Sequence, residues 1–379
     1  VTTRPPRVVV AADSFKGSLA STAVGEAVRA GVLDVRPDAV VTVLPVADGG
    51  EGTVDAVLAA GFAPTTVEVP GPTGEGVTTT LAARDGTVVV ELADACGLGR
   101  LPGGVPRPLT ASSRGLGVAI RAALDLRPGT IVVGVGGSAS TDGGAGMLAG
   151  LGARVLDADG RDLPGGGGAL ERVAALDRSG LDPRLAGVRL VLAADVVNPL
   201  LGPDGAAAVY GPQKGASPAD VVRLDAALAR WAAVVDPGAA GRPGAGAAGG
   251  VGFAALAVLG AERASGVEVV LDVVGLDAAV RGADLVVTGE GSLDAQTASG
   301  KAVTGVVARA AAAGVPVVAV CGRSTLDPDG VRSLGLAGVY PLSALEPDVD
   351  RSVRYAAALL RRVGARLARE RVGRLSPPG

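Results

Sequence analysis

Residues 7–18 read RVVVAADSFKGS. Five apolar residues in a row, with no polar alternation, describe a strand buried on both faces, as in a parallel sheet. Asp13, Ser14 and Lys16 then stand in a loop at its carboxyl end, and helical spacing runs from about Ser21 to Val35. The same order recurs along the chain. VTVLPVAD (41–48) leads through GGEG into TVDAVLAA, and VRLVLAADV (188–196), ADLVVTGEG (283–291) and VPVVAVCG (315–322) each precede a helical segment. The repetition predicts a doubly wound α/β sheet with ligand groups at the carboxyl ends of its strands.

One stretch breaks the rhythm. TTVEVP, VTTTLAAR and TVVVELAD, within 64–100, are three strands separated only by GPTGEG and RDG. An antiparallel run inside an alternating chain predicts an inserted domain. We therefore expect a discontinuous α/β domain, 1–63 plus 190–379, interrupted by a smaller mixed α/β domain, 64–189. RVVVAAD and VPVVAVCG should share one parallel sheet. LPGGGGALERV (163–173) reads as the loosest linker.

Composition narrows the function. Hydrophobic residues make up 48% of the 379 but aromatics only 2%, so the core is built from Val, Leu and Ala. A net charge of −3 without a basic cluster argues against nucleic-acid binding. There is no long apolar run and no signal-like segment, so a soluble, cytoplasmic protein is expected. Cys96 and Cys321 form no CxxC and read as reduced, buried thiols. Histidine is absent, which excludes imidazole acid–base chemistry and histidine metal sites. Of 35 basic residues only three are lysine: Lys16, Lys214 and Lys301, each beside a glycine. In a chain so biased toward arginine, a retained lysine marks a place that needs a compact ammonium.

Four loops collect the rare polar residues. They are DSFKGS (13–18), ADGGEGT (47–53), GVGGSASTDGGAG (134–146) and GEGSLDAQTASGK (289–301). Asp-Gly-Gly-x-Gly occurs in two of them, at 48–52 and 142–146. Paired glycines before a helix leave backbone N–H groups free to meet an anion, so these loops suit phosphate. A tight turn is the competing explanation for any one of them. Around Lys301 the Walker A pattern fails at Ala295 and Ala302. Gly134, Gly136 and Ala139 do fit the looser dinucleotide pattern, with Asp157 near the place of a ribose-binding acid. A nicotinamide-dependent oxidoreductase of a small hydroxy acid is thus one alternative. A non-catalytic nucleotide-binding regulator is another.

Carboxylates in strand-end loops beside such glycines suit Mg²⁺, which takes one or two carboxylates plus phosphate oxygens and water. Phosphoryl transfer asks for little beyond positioning, charge neutralisation and a group that orients the hydroxyl. On that chemistry Glu290 and Asp294 would hold Mg²⁺, and Lys16 and Lys301 would bind phosphates or a substrate carboxylate. Gly49, Gly50, Gly136, Gly137, Gly143 and Gly144 would supply backbone donors, with Ser14, Ser138, Asp142 and Gln296 beside them at the nucleotide. Asp195 would orient or deprotonate the hydroxyl, although ADVVNP (194–199) equally fits an N-cap and turn.

Taken in order, DSFKGS, LPVADGGEGT, VGGSASTDGGAGM, NPLLGPDGAAAVYGPQKGA, GAGAAGGVGF and TGEGSLDAQTASGK resemble the bacterial glycerate kinase family of the type that forms 2-phosphoglycerate. The resemblance covers nearly the whole chain. It implies an ATP- and Mg²⁺-dependent kinase of D-glycerate. It also implies a flavodoxin-like domain joined to one with a restriction-endonuclease-like core, with the site in the cleft between them. Three positions depart from the family pattern: Ser299 replaces a common histidine, Arg114 a common tyrosine, and Thr141 a common asparagine.

Overall fold

The computed structural model describes residues 4–294, 297 and 302–372. Along the chain come β1 (Arg7–Ala12), β2 (Val40–Val43), β3 (Ala63–Pro70), β4 (Gly76–Arg84) and β5 (Thr87–Glu91). Then follow β6 (Thr130–Gly134), β7 (Arg154–Leu156), β8 (Ala175–Asp177), β9 (Arg189–Ala193) and β10 (Glu262–Ala264). The last three are β11 (Leu285–Leu293), β12 (Val317–Ser324) and β13 (Gly338–Pro341). The chain divides into two compact units: Val1–Asp48, Asp55–Gly61 and Val267–Gly379 form one, and Gly49–Val54 with Phe62–Gly266 form the other.

The first unit is built on a five-stranded sheet, β13-β12-β11-β1-β2, in which every pairing is parallel. Val8, Val9, Val10, Ala11 and Ala12 are all buried, as expected of a central strand covered on both faces. The segments 7–12 and 317–324 share this sheet. Helix Ser21–Val35 buries Val24, Val28 and Val32, one stripe at helical spacing. Helix Ala356–Leu367 packs on it, burying Leu359, Leu360, Val363 and Leu367. The two helices meet at glycines. A Cβ on Gly31 would lie 1.9 Å from Arg361 O, and one on Gly364 would lie 2.3 Å from Val28 O. Any side chain at either place would push the helices apart.

The second unit carries a six-stranded sheet, β10-β9-β6-β5-β4-β3, and a separate β7-β8 ribbon. β3, β4 and β5 pair antiparallel, whereas β5, β6, β9 and β10 pair parallel. The expected antiparallel run is therefore present as one half of a mixed sheet. The expected boundary is displaced. β9 pairs with β6 from Thr130↔Arg189 to Gly134↔Ala193, so the chain beyond 190 stays in this unit until Gly266. The inserted unit is consequently the larger one. A buried Val/Leu strand has the same composition in either parallel sheet, so its sequence could not say which sheet it joins.

The glycine run at 163–173 is also no linker. Gly168 N donates to Leu109 O at 2.9 Å, Leu170 is buried, and a Cβ on Gly167 would lie 2.1 Å from Thr141 O. Its glycines allow close packing against the loop at 141. Cys96 and Cys321 are free and buried. Among the described residues no helix is long and apolar enough to cross a membrane.

Candidate active site

In the first unit β1 and β11 are neighbours, but the chain leaves them toward opposite edges: β1 leads to β2, and β11 leads to β12. The carboxyl ends of such a pair form the crevice in which open α/β sheets bind ligands. Asp13 N still donates to Gly289 O at 2.8 Å, and beyond it the strands separate. The DSFKGS segment then makes a tight turn. Phe15 is buried, and its N–H and carbonyl pair with Leu19 O and with the amides of Ser18 and Leu19. Lys16 at the apex is exposed. Ser14 is half-buried, and its N–H donates to Asp13 Oδ1 at 2.6 Å. Ser21 Oγ, at the first residue of the following helix, donates to Ala12 O at 2.6 Å and fixes the strand end.

Burial pushes the Asp13 carboxyl up to about 6, against the pull of the Ser14 amide, and the charges of Asp48 and Glu290 add to the rise while Lys16 opposes it. Three acids and one lysine therefore share this crevice. Glu290, on β11, accepts from Thr297 Oγ1 at 2.7 Å, and Thr297 Oγ1 in turn accepts from Asp294 N at 3.1 Å. Thr297 is wholly buried and links the two candidate metal ligands. Sequence reading passed over it, although it lies in the lysine-bearing stretch 289–301. Gln296 and Lys301 lie outside the described residues. Among those described, no three acidic, cysteine or histidine groups converge to hold a metal by themselves. An all-oxygen set of one or two carboxylates with adjacent acids still fits Mg²⁺, which completes its sphere with phosphate and water.

The second unit uses its glycine loops differently. Gly49 and Gly50 pack on the loop after β6: Gly136 N donates to Gly49 O at 3.3 Å, and a Cβ on Gly136 would lie 2.4 Å from Gly50 Cα. At the start of helix Thr53–Ala59, the amides of Gly52 and Val54 donate to the buried Glu91 carboxylate at 3.1 and 2.9 Å. An anion is thus already in place there, and the protein supplies it. The second Asp-Gly-Gly loop repeats the arrangement with its own acid. Asp142 is wholly buried and accepts from the amides of Ser113, Gly144 and Gly146 and from Ser113 Oγ. Ser113 Oγ accepts from Met147 N at 2.9 Å, so its proton is directed at Asp142. Burial pushes the Asp142 carboxyl up. Yet every partner is a donor, and only an ionised carboxylate accepts from all of them. Gly143 and Gly144 are buried as well, whereas Gly136 is half-buried and Gly137 exposed.

Lys214 lies beneath this loop. It is 2% exposed, and its Nζ donates to Ser138 Oγ at 2.7 Å and to Ser140 O at 2.6 Å. Burial pulls its ammonium down to about 7, opposed by the charge of Asp142; burial also pushes the Cys96 thiol up to about 12, so it is uncharged at neutral pH. The rarity of lysine singled out this residue, but only the structure shows where it points.

Asp195 is exposed at the end of β9, where its Oδ1 accepts from Ser265 Oγ at 2.8 Å and Gly266 N at 2.9 Å. These bonds cap helix Gly266–Val273. Asn198 ties Asp204 O to the Tyr210 hydroxyl. The dinucleotide pattern lacks its context. After Gly134 the next helix starts only at Ala145, and Asp157 sits in the turn after β7, accepting from Asp159 N and Arg161 N.

Comparison with known proteins agrees over nearly the whole length. The sequence pattern described as the glycerate kinase family matches residues 8–371. The glycerate 2-kinase of Escherichia coli (strain K12) is 41% identical over 355 residues, which cover 92% of this chain and 93% of the relative. The glycerate kinase of Bacillus subtilis (strain 168) is 40% identical over 369 residues, 96% of this chain and 97% of its own. A crystal structure provisionally named glycerate kinase 2, from Salmonella typhimurium LT2, matches with a TM-score of 0.83 at 40% identity, covering 96% of this chain and 98% of that one.

Proposed function

Because the chain belongs to the glycerate kinase family, it is a phosphotransferase that acts on glycerate, and we propose that it transfers the terminal phosphoryl group of ATP to D-glycerate, giving 2-phosphoglycerate. The observation that carries the placement is the crevice between β1 and β11. Counted within its own unit, the sheet order is 2-1-3-4-5 and fully parallel, which supports the flavodoxin-like reading. The restriction-endonuclease-like reading of the other unit rests on the resemblance alone.

In this reading Lys16 holds phosphate oxygens, and the bend of its loop keeps the ammonium exposed. Glu290 and Asp294 hold Mg²⁺, which when bound neutralises charge on the phosphates. Asp195 orients the glycerate hydroxyl and accepts its proton. A dissociative transition state asks for that proton late, so a carboxylate suffices without histidine. The nucleotide meets Ser14 and the open glycines, Gly136 and Gly137, and Gln296 and Lys301 complete its contacts. The product of ATP, Mg²⁺ and D-glycerate, examined by ³¹P NMR, tests the proposal. A phosphomonoester coupled to the C2 proton supports it, coupling to the C3 protons moves the transfer to the other hydroxyl, and no new ester ends it.

A further inference from the structure

Lys214 is set by the short turn Pro212–Lys214, and its side chain runs into the loop after β6 to meet Ser138 Oγ and Ser140 O. Burial pulls the Lys214 ammonium down to about 7 while the charge of Asp142 opposes the fall, and in its ammonium form Lys214 has donors and no acceptor. Ser138 Oγ is therefore the acceptor of this pair, and its own proton is directed elsewhere. No described residue accepts that proton. Ser138 is only 5% exposed, and a buried donor without an acceptor costs free energy. Its neighbour Gly137 is open to solvent. The Gly137 carbonyl accepts from Leu98 N at 2.9 Å, whereas its N–H has no acceptor among the described residues.

We propose that Lys214 is a positioning residue for the phosphoryl transfer: it aims the Ser138 hydroxyl, beside the Gly137 amide, as a donor to an oxyanion of a substrate. The inference rests on the glycerate kinase reading above. The oxyanion is either the carboxylate of glycerate or a phosphate oxygen of the nucleotide. Lysine is required because two point acceptors, a hydroxyl and a carbonyl, face a space closed to solvent. A planar guanidinium has five fixed donors to satisfy there.

The test is steady-state kinetics of the full chain as parent, Ser138→Ala, Lys214→Met and the double variant, with glycerate and ATP varied separately. Loss of one directed hydrogen bond should raise one KM by about tenfold, more than kcat changes, while the other KM stays within about twofold. A glycerate effect identifies the carboxylate, and an ATP effect identifies the phosphate. Lys214→Met should reproduce the same KM rise, and the double variant should be no worse than Lys214→Met, because the two groups act in series. Both KM values unchanged in Ser138→Ala, or additive losses in the double variant, would overturn the inference. Should Lys214→Met fail to fold, Ser138→Ala with both substrates varied decides by itself, since one KM must rise by about tenfold. Parent protein that does not phosphorylate glycerate overturns the family reading itself, an outcome visible before any variant is compared.

Discussion

Two loops of this protein contain the same ingredients in opposite settings. After β1, Asp13 is half-buried and Lys16 is exposed at the apex of its turn. In the loop after β6, Asp142 is wholly buried with a donor at every side, and Lys214 is sealed beneath it. The first loop leaves its charges incompletely satisfied, with Asp48 and Glu290 adding to the strain on Asp13. The second satisfies its charges internally. An acid kept at an energetic cost suggests work on a ligand, and an acid surrounded by donors is part of the architecture. Lysine beside glycine is therefore a marker of place, and the surroundings decide the task.

The largest effect should come from an acid that resembles neither case fully. Asp195 is exposed yet caps a helix, and Asp195→Asn keeps the capping oxygen while removing the base. We expect kcat to fall by about 10²–10⁴ with nucleotide affinity little changed. Turnover within a few-fold of the parent would reduce Asp195 to a cap and pass the role to Asp13. Next, Lys16→Ala should lower kcat/KM by about 10²–10³, the scale for losing one charge-stabilising donor. Its thermal unfolding should match the parent, because an exposed lysine contributes little to stability. A destabilised variant with normal turnover would erase the contrast between the loops.

The two aspartates sharpen it further, since replacing each by asparagine should move stability in opposite directions. Asp142→Asn turns an amide NH₂ toward backbone donors and leaves the Lys214 ammonium without its counter-charge. Leaving buried backbone donors facing that NH₂ costs about 1–3 kcal/mol, measurable by urea unfolding. Asp13→Asn keeps the acceptor for Ser14 N and removes a costly charge. The sign follows from the pKa: at about 6 in the folded protein against 3.8 for the free group, Asp13 binds its proton more tightly when folded. The cost is thus fully present above pH 6 and disappears as pH falls toward 4. Asp13→Asn should therefore raise the unfolding midpoint at pH 8 and change it little near pH 4. A uniform loss at both pH values would show that Asp13 is structural like Asp142.

Much of the fold was legible because periodicity depends on neighbours a few residues apart. The Val runs at 8–12 and 317–320, the helix at 21–35 and the antiparallel strands between 63 and 91 follow from local pattern. The family was legible too, from ordered motifs. Strand 189–193 was not, because the same buried apolar run serves either parallel sheet, and the partner strand lies more than fifty residues away. The glycines at 165–168 read as slack but are tight, since a glycine gives the same letter in a loop and in a close backbone contact.

Residue types and spacing by themselves determined which chemistry is available: oxygen ligands, three lysines, no imidazole. Tertiary structure decided which of these groups meets solvent. Lys16 and Lys214 are equivalent in sequence because both follow a polar or aromatic residue and precede glycine. They differ only in what packs over them. For Lys214, burial and hydrogen-bond partners come from residues distant in the chain, Ser138, Ser140 and Asp142, and these set the energy of its charge.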